Sequence, residues 1–164
     1  MTDLFQDPRP IKAISLWQPW ASLIAAGVKR HETRHWRTSY RGPIAIHAAK
    51  TLDVAGAPHD LCAAVFGKLW ASLLPIGMVV AVGELKRCTP TEDVRHRTTR
   101  ADQASGDFTA GRFAWTIDSV RRLDQPIPTL GRQGLFNWTP PEDLGVNLSH
   151  VLNHAEAARM AGYA

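Results

Sequence analysis

Hydrophobic residues alternate with polar ones, or form short apolar runs, in several separate segments of the chain. Period-two alternation rich in β-branched and aromatic residues is typical of strands that bury one face, and a short continuous apolar run is typical of a strand buried on both faces. These patterns predict strands over residues 11–16, 42–50, 77–85, 112–123 and 135–138.

Other segments carry helix boundary residues around apolar positions. Residues 18–27 place Pro19 in the first turn and Gly27 at the end, which predicts a helix of about two turns. Five or six short strands with a few helices favour an α+β fold, a small β-barrel with flanking α-helices. The remaining predicted segments are a helix over 51–73 interrupted near 56–58, a polar loop with a helical turn over 88–111, and a C-terminal helix over 143–163.

Length and composition indicate the class of protein. A chain of 164 residues is long enough for one domain with its own core, and its 45% hydrophobic content is ordinary for a soluble protein. No apolar run approaches the roughly 20 residues that span a bilayer, and residues 1–10 lack the apolar stretch of a secretory signal. Cys62 and Cys88 stand alone, without a CxxC spacing. We therefore expect a cytoplasmic protein with reduced thiols and no membrane partner.

The formal net charge is +4, and the basic residues are unevenly distributed. Six basic residues and one acid, Glu32, lie between Lys29 and Lys50, and a second basic segment runs over residues 86–100. Arginine dominates both segments, and its planar guanidinium suits phosphate better than an ammonium does. This pattern indicates a nucleic-acid footprint, and the alternative is a solvated basic surface without a partner.

His31, Glu32 and His35 form a His-Glu-x-x-His motif, which binds zinc in metalloproteases when it lies on a helix. No apolar stripe at helical spacing accompanies the motif, and Gly27 lies just upstream. In an extended segment, His31 and Glu32 would point to opposite faces and would not share a metal ion. We therefore expect no metal site and no cofactor, although a loosely held Mg²⁺ stays open if the protein is a nuclease.

A longer pattern explains the same residues. Its residues are Ser15, Gln18, Pro19, Trp20 and Ala21, then Gly27, Lys29, Glu32 and Arg34, then Arg41, Gly42 and Ile46. This pattern resembles the ASCH domain, named for homology to activating signal cointegrator 1, in which positions 31 and 35 are free. The later predicted strands follow in the expected order, so the resemblance covers residues 11–140, between an N-terminal tail over 1–10 and a C-terminal helical extension over 141–164.

The resemblance implies a PUA-like β-barrel of about five to six strands, with flanking helices and a cleft between barrel and helices. It also implies that this cleft binds RNA, another single-stranded nucleic acid or a nucleotide. Some relatives cleave RNA, and one bacterial branch hydrolyses the amide of an acetylated cytidine. Two alternatives to binding therefore stay open. One is an enzyme, either a ribonuclease or an N4-acetylcytidine-type amidohydrolase, and the other is a regulatory module that binds a protein.

Lys29 and Glu32 are the catalytic residues that the resemblance suggests. Lys29 matches the Lys of the amidohydrolase branch, whereas Glu32 occupies the place of its Thr, so a nucleophilic hydroxyl is missing there. We expect the Lys29 ammonium to reach the cleft, where it would hold a phosphate or polarise a carbonyl. Glu32 and Arg34 lie two apart on an extended segment and share a face, which predicts an ion pair between them.

The other candidate residues would contact the ligand. Basic side chains suit phosphates, aromatic side chains stack on unpaired bases, and a Gln amide can read a base edge. Ser15 has little support as a nucleophile, because no His-Asp pair at a known spacing accompanies it. The predicted ligand-binding residues are Ser15, Trp17, Gln18, Lys29, Arg34, Trp36, Arg37, Tyr40, Arg41, His47 and Lys50.

Overall fold

Residues 9–164 are described by a computed structural model, in which six strands form one mixed sheet in the order β2-β5-β4-β3-β1-β6. The strands are β1 (Ile11–Gln18), β2 (His31–Arg34), β3 (Gly42–Leu52), β4 (Met78–Pro90), β5 (Phe113–Pro128) and β6 (Leu135–Trp138). The helices are α1 (Trp20–Ala25), α2 (His59–Phe66), α3 (Trp70–Leu73), α4 (Thr91–Val94), α5 (Arg100–Ser105) and α6 (His154–Met160), with 3₁₀ turns at Arg95–Arg97 and Leu144–Asn147.

The pairing of β1 with β3 is parallel, whereas the other neighbouring strands within residues 9–164 run antiparallel. A parallel pair cannot be joined by a tight turn and needs a crossover connection. Here α1 and β2 provide that connection, and α1 packs its buried residues against one face of the sheet. The carboxyl ends of β1 and β3 therefore lie side by side.

Apolar residues are buried on both faces of the sheet, because successive side chains of a strand point to opposite faces and several strands carry apolar residues in succession. Ile14 and Leu16 of β1 belong to the cluster that contains α1, whereas Ala13 belongs to a second cluster with β6. A third cluster joins α1 to the helices α2, α3, α5 and α6. Strands buried on both faces read as nearly continuous apolar runs, which explains the sequence of β3 and β4.

The α+β class is confirmed, but a closed barrel is not. Within residues 9–164, the sheet is open, and β2 and β6 are its edge strands. The predicted strands are all present, and several are longer than expected. The predicted N-terminal tail over 1–10 falls largely outside the described residues. No helix within residues 9–164 is long and apolar enough to cross a membrane.

Three predicted segments differ from the structure. The helix expected over 51–73 begins only at His59, because the Asp53 side chain accepts the Gly56 N–H and closes a turn instead. The expected loop over 88–111 continues β4 to Pro90 and then forms α4, a 3₁₀ turn and α5. Capping of α5 by Thr99, whose hydroxyl accepts the N–H of Asp102, explains this helix.

The C-terminal segment is helical only in part. The side chain of Asn147 bonds both backbone groups of Gln125, and Leu148 forms a β-bridge with Leu123. These contacts hold the first half of the segment against β5, where it forms the 3₁₀ turn and an extended stretch instead of an α-helix. Asn153 then caps α6 by accepting the N–H of Glu156. The helix predicted over 143–163 is therefore wrong in its first half.

Trp115 is the largest fully buried side chain and supports the cleft described below. Its ring lies edge-on to Trp36 at 4.6 Å, and its indole N–H donates to the Trp36 carbonyl. We expect Trp115→Ala to lower the free energy of unfolding by about 3–5 kcal/mol, because a large cavity would form. Urea denaturation followed by circular dichroism measures this change. Val146→Ala, at an exposed position, should stay within about 0.5 kcal/mol of the wild type, and a similarly small effect of Trp115→Ala would contradict the assignment.

Candidate functional site

A cleft of about 750 Å³ opens at the carboxyl ends of β1 and β3. We call it the main cleft. β1 contributes Ser15 and Trp17, which share a face because they lie two apart, and β3 contributes His47 and Lys50. The full lining is Ser15, Trp17, Arg34, His35, Trp36, His47, Ala49, Lys50, Gly77, Thr129, Leu130, Gly131, Arg132, Gln133 and Gly134.

Ser15 and His47 are opposite each other in the parallel register of β1 and β3. The Ser15 Oγ lies 2.9 Å from His47 Nδ1, and the other ring nitrogen, Nε2, lies 2.8 Å from the Thr129 carbonyl oxygen. A carbonyl only accepts, so Nε2 carries the proton and Nδ1 accepts from the Ser15 hydroxyl in the neutral ring. Burial lowers the pKa of His47, which favours this neutral form.

Arg34 is held beside this pair by two partners. Its Nε lies 3.2 Å from Glu32 Oε1, and its Nη2 donates to the Ser15 carbonyl at 3.2 Å. The ion pair predicted from their spacing in β2 is confirmed. Glu32 Oε2 also lies 3.5 Å from Lys29 Nζ, so the carboxylate bridges two cations. The guanidinium that lines the main cleft is thus fixed in position before any ligand binds.

Two tryptophans give the main cleft aromatic surface. Trp17, near the carboxyl end of β1 and beyond the residues that pair with β6, is 55% exposed, which is a large exposure for so large an apolar side chain. Trp36 is partly buried against Trp115 and presents its remaining surface to the cleft. Leu130, which is 78% exposed, lines the same cavity.

The loop over residues 129–134 was missed by sequence reasoning. It joins β5 to β6 and lines the main cleft, where it adds Arg132 and Gln133. A Cβ on Gly131 would lie 2.8 Å from Ser15 Oγ and 2.5 Å from His47 Cε1, so a glycine allows the loop to approach the pair. In the sequence, the feature that could have identified this loop as a candidate is a basic residue between glycines in a segment that joins two predicted strands. The second basic segment, residues 86–100, lines none of this cleft.

Lys29 is not a surface residue, because its side chain is 1% exposed. Its Nζ donates to the carbonyls of His31 at 2.6 Å and Ser105 at 2.9 Å, and it faces Glu32. These three partners match the three donors of an ammonium. Lys29 and Glu32 line a smaller pocket of about 340 Å³ with Trp20. Another small pocket is lined by both Glu32 and Ser15, so it shares lining residues with this pocket and with the main cleft.

Four other candidate residues lie outside the main cleft. Gln18 is fully buried, and its amide bonds the Ser22 side chain and the Pro75 carbonyl. The Tyr40 hydroxyl donates to a carbonyl of the same segment. Arg41 bonds the carbonyls of its own turn, and Arg37 lies over the ring of Phe113 at 5.8 Å. Arg37 and Arg41 line a separate surface pocket.

The residues of the His-Glu-x-x-His motif are not on a helix. His31 and Glu32 lie in β2, as expected for an extended segment, and His35 lies in the main cleft. The His31 ring faces the carboxylate of Asp102 and not that of Glu32. Within residues 9–164, no group of three or more His, Cys, Asp or Glu side chains is arranged to hold a metal ion.

The sequence model of the ASCH domain family matches residues 14–126. The chain belongs to the ASCH domain family. Its fold is similar to the crystal structure of ASCH from Zymomonas mobilis, with a TM-score of 0.53 and 17% identity over 86% of this chain and 97% of that one. A Tyr-to-Phe variant of that protein gives a TM-score of 0.52 at 16% identity, over 84% of this chain and 98% of that one. No curated protein matches this chain in sequence.

A buried polar network lies beyond Lys29 and joins this ASCH domain to its C-terminal segment. Asp102 Oδ1 accepts the N–H groups of Arg30 and His31 at 2.8 and 3.0 Å, and Oδ2 lies 3.4 Å from His31 Nδ1 and 3.3 Å from His154 Nε2. Burial raises the pKa of Asp102, but the His154 hydrogen bond and the neighbouring positive charges outweigh it and hold the pKa at about 2. Burial lowers the pKa of His31 to about 4.

This network predicts a loss of stability on acidification. Between pH 6.5 and about 4, the unfolded chain binds a proton at His31 that the folded chain does not bind, so the free energy of unfolding falls as the pH falls. The slope from one such group reaches about 1.4 kcal/mol per pH unit. Urea titrations across this window should show a shallower slope for His31→Gln than for the wild type. His150→Gln, at an exposed position, is the control, and parallel profiles for His31→Gln and the wild type would refute the assignment.

Proposed function

We propose that this ASCH domain, a PUA-like barrel left open between β2 and β6, binds single-stranded RNA or a nucleotide in the main cleft. The proposal rests on one cavity that is lined by an exposed tryptophan, Trp17, and by three cationic side chains. These are Arg34, Lys50 and Arg132. Stacking surfaces combined with a positive groove are the recurring means of binding unpaired nucleotides. The family membership supports the same ligand class.

The cations supply the part of binding that does not depend on sequence. Lys50 and Arg132 are exposed, and Arg34 is fixed by Glu32 and the Ser15 carbonyl. An arginine that is already oriented loses less side-chain entropy when it contacts a phosphate. No metal is needed for these contacts, so we propose binding without a cofactor, and EDTA should leave the affinity unchanged.

The aromatic residues supply the contacts to bases. Trp17 lies on the same face of β1 as Ser15, and its exposed ring is available for a base to stack on. The hydroxyl and amide groups of Ser15 and Gln133 offer hydrogen bonds to base edges in the same cavity. Unpaired bases fit this arrangement, because a duplex would keep its base faces stacked internally.

Affinity for RNA should decrease steeply with salt, because phosphate contacts release counterions. We expect Arg132→Ala to weaken binding of a fluorescein-labelled ten-nucleotide single-stranded RNA and to reduce the slope of log affinity against log salt by about 0.7. Fluorescence anisotropy between low and moderate salt measures both effects. Arg159→Ala, an exposed arginine on α6, is the matched control and should change neither value. A flat salt dependence in the wild type would instead favour the regulatory, protein-binding alternative.

Trp17→Ala should weaken binding of the same RNA by about 1–3 kcal/mol, because a stacked base would lose its platform. Trp17→Phe should restore most of the affinity, since a smaller ring still stacks. The side chain is more than half exposed, so neither change should alter the melting temperature much. Equal affinity of Trp17→Ala and the wild type would remove Trp17 from the site.

The enzyme alternative is favoured by the Ser15–His47 pair and not by Lys29. The two carbonyls and the carboxylate around Lys29 Nζ leave this ammonium no free donor for a substrate carbonyl. We therefore propose that Lys29 and Glu32 hold Arg34 in place from the side away from the main cleft. Hydrolysis of an amide by these two residues is a weaker enzyme hypothesis than a reaction at the Ser15–His47 pair. The pair in the main cleft has the geometry that a nucleophile needs.

A further inference from the structure

The side chains of Ser15 and His47 form a hydrogen-bonded relay that ends at a backbone carbonyl. The Ser15 hydroxyl donates to His47 Nδ1 at 2.9 Å, and His47 Nε2 donates to the Thr129 carbonyl at 2.8 Å. A hydroxyl bonded to a neutral imidazole, whose second nitrogen is oriented by a third group, is the arrangement of an activated nucleophile. The third group here is a carbonyl, which fixes the tautomer as a carboxylate does elsewhere.

Ser15 is also accessible to a bound ligand. It lines both the main cleft and the smaller pocket beside it. Gly131 lies against the pair without a side chain that would cover it, whereas a Cβ there would come within 2.8 Å of Ser15 Oγ. Arg34, which bonds the Ser15 carbonyl, lines both cavities as well. Its charge lies where it can stabilise negative charge that develops on a substrate oxygen.

We propose that Ser15 is a catalytic nucleophile, with His47 as its base, in the hydrolysis of a phosphodiester of single-stranded RNA bound in the main cleft. This inference rests on the proposed function and names the chemistry of the same site. The cationic lining selects an anionic substrate, and a phosphodiester is the electrophile that single-stranded RNA presents along its whole length.

The reaction balances in two steps. Ser15 Oγ attacks phosphorus and its proton passes to His47 Nδ1, while the bond from phosphorus to the 5′ oxygen breaks and that oxygen takes the proton from His47. Water then attacks the phosphoryl-serine, gives a proton to His47 and breaks the bond to Ser15 Oγ, which recovers the proton. The products are a 3′-phosphate and a 5′-hydroxyl, and no oxidant, reductant or metal is consumed.

A fluorophosphonate probe tests the nucleophile directly, because it phosphonylates activated serines. Intact-mass and peptide mass spectrometry should find the adduct on Ser15 of the full chain. Ser15→Ala should abolish it, and His47→Gln should slow it at least 100-fold, while Ser72→Ala, an exposed serine on α3, should leave it unchanged. Thermal unfolding followed by circular dichroism checks that each variant is folded. The rate of labelling should also fall at acidic pH, where His47 binds a proton.

RNA binding is measured on the same proteins, so that the two claims can fail separately. Ser15→Ala removes one neutral hydroxyl and no charge, so it should weaken binding of the ten-nucleotide RNA less than Trp17→Ala does, although it is not labelled. Absence of an adduct on Ser15 of the folded wild type overturns the nucleophile even if RNA binds. An adduct on Ser15 without RNA affinity supports the nucleophile and overturns the proposed ligand.

Cleavage of a 2′-O-methyl oligonucleotide separates Ser15 from the alternative nucleophile, the 2′-hydroxyl of RNA. With Ser15 as the nucleophile, the RNA and its 2′-O-methyl counterpart should be cut at rates within about tenfold, to 3′-phosphate ends without a cyclic phosphate. Cleavage confined to the RNA would show that its own hydroxyl attacks, and it would contradict the role of Ser15.

Discussion

The parallel pairing of β1 with β3 is the constraint on which the site depends. A parallel pair brings the carboxyl ends of two strands to one edge, and its register places Ser15 opposite His47. The crossover that the pairing requires contains α1 and β2, so it also positions Arg34, two residues after Glu32 in the same strand. Shifting β1 by one residue would turn Ser15 and Trp17 to the opposite face and bury them against α1.

Charged groups behind the main cleft are arranged as a chain instead of as isolated pairs. Lys29 faces Glu32, Glu32 faces Arg34, and the guanidinium of Arg34 bonds the backbone of Ser15. Buried charges are costly unless each is paired and hydrogen-bonded, and here each has a partner. Lys29 and Glu32 therefore act on the main cleft through Arg34, although they lie largely behind it.

Much of the fold could be predicted from the sequence, because it depends on local patterns. The alternation in residues 11–16 and the apolar run in 77–85 correspond to strands of the sheet whose apolar side chains are buried. Pro19 and Gly27 correctly marked the two ends of the first helix. The helix expected over 143–163 is wrong in its first half because Asn147 makes a long-range bond to β5 that no local pattern encodes. Barrel closure likewise depends on contacts between distant strands.

The candidate site was predictable only in part. The spacing of Glu32 and Arg34 was enough to predict their ion pair, since both lie on one strand. The Ser15–His47 pair was not predicted, because it depends on a register between strands that are far apart in sequence. The Lys29 ammonium was expected to reach the cleft, and its burial follows from the position of α5, which supplies a carbonyl to it.

Photo-crosslinking can show whether nucleic acid lies in the main cleft. A single-stranded RNA with 5-bromouridine at successive positions would be irradiated with the intact protein, and the crosslinked peptides would be identified by mass spectrometry. We expect crosslinks at Trp17, at Trp36 and within residues 129–134. Crosslinks confined to α6 or to residues 86–100 would contradict this expectation, because neither segment lines the main cleft.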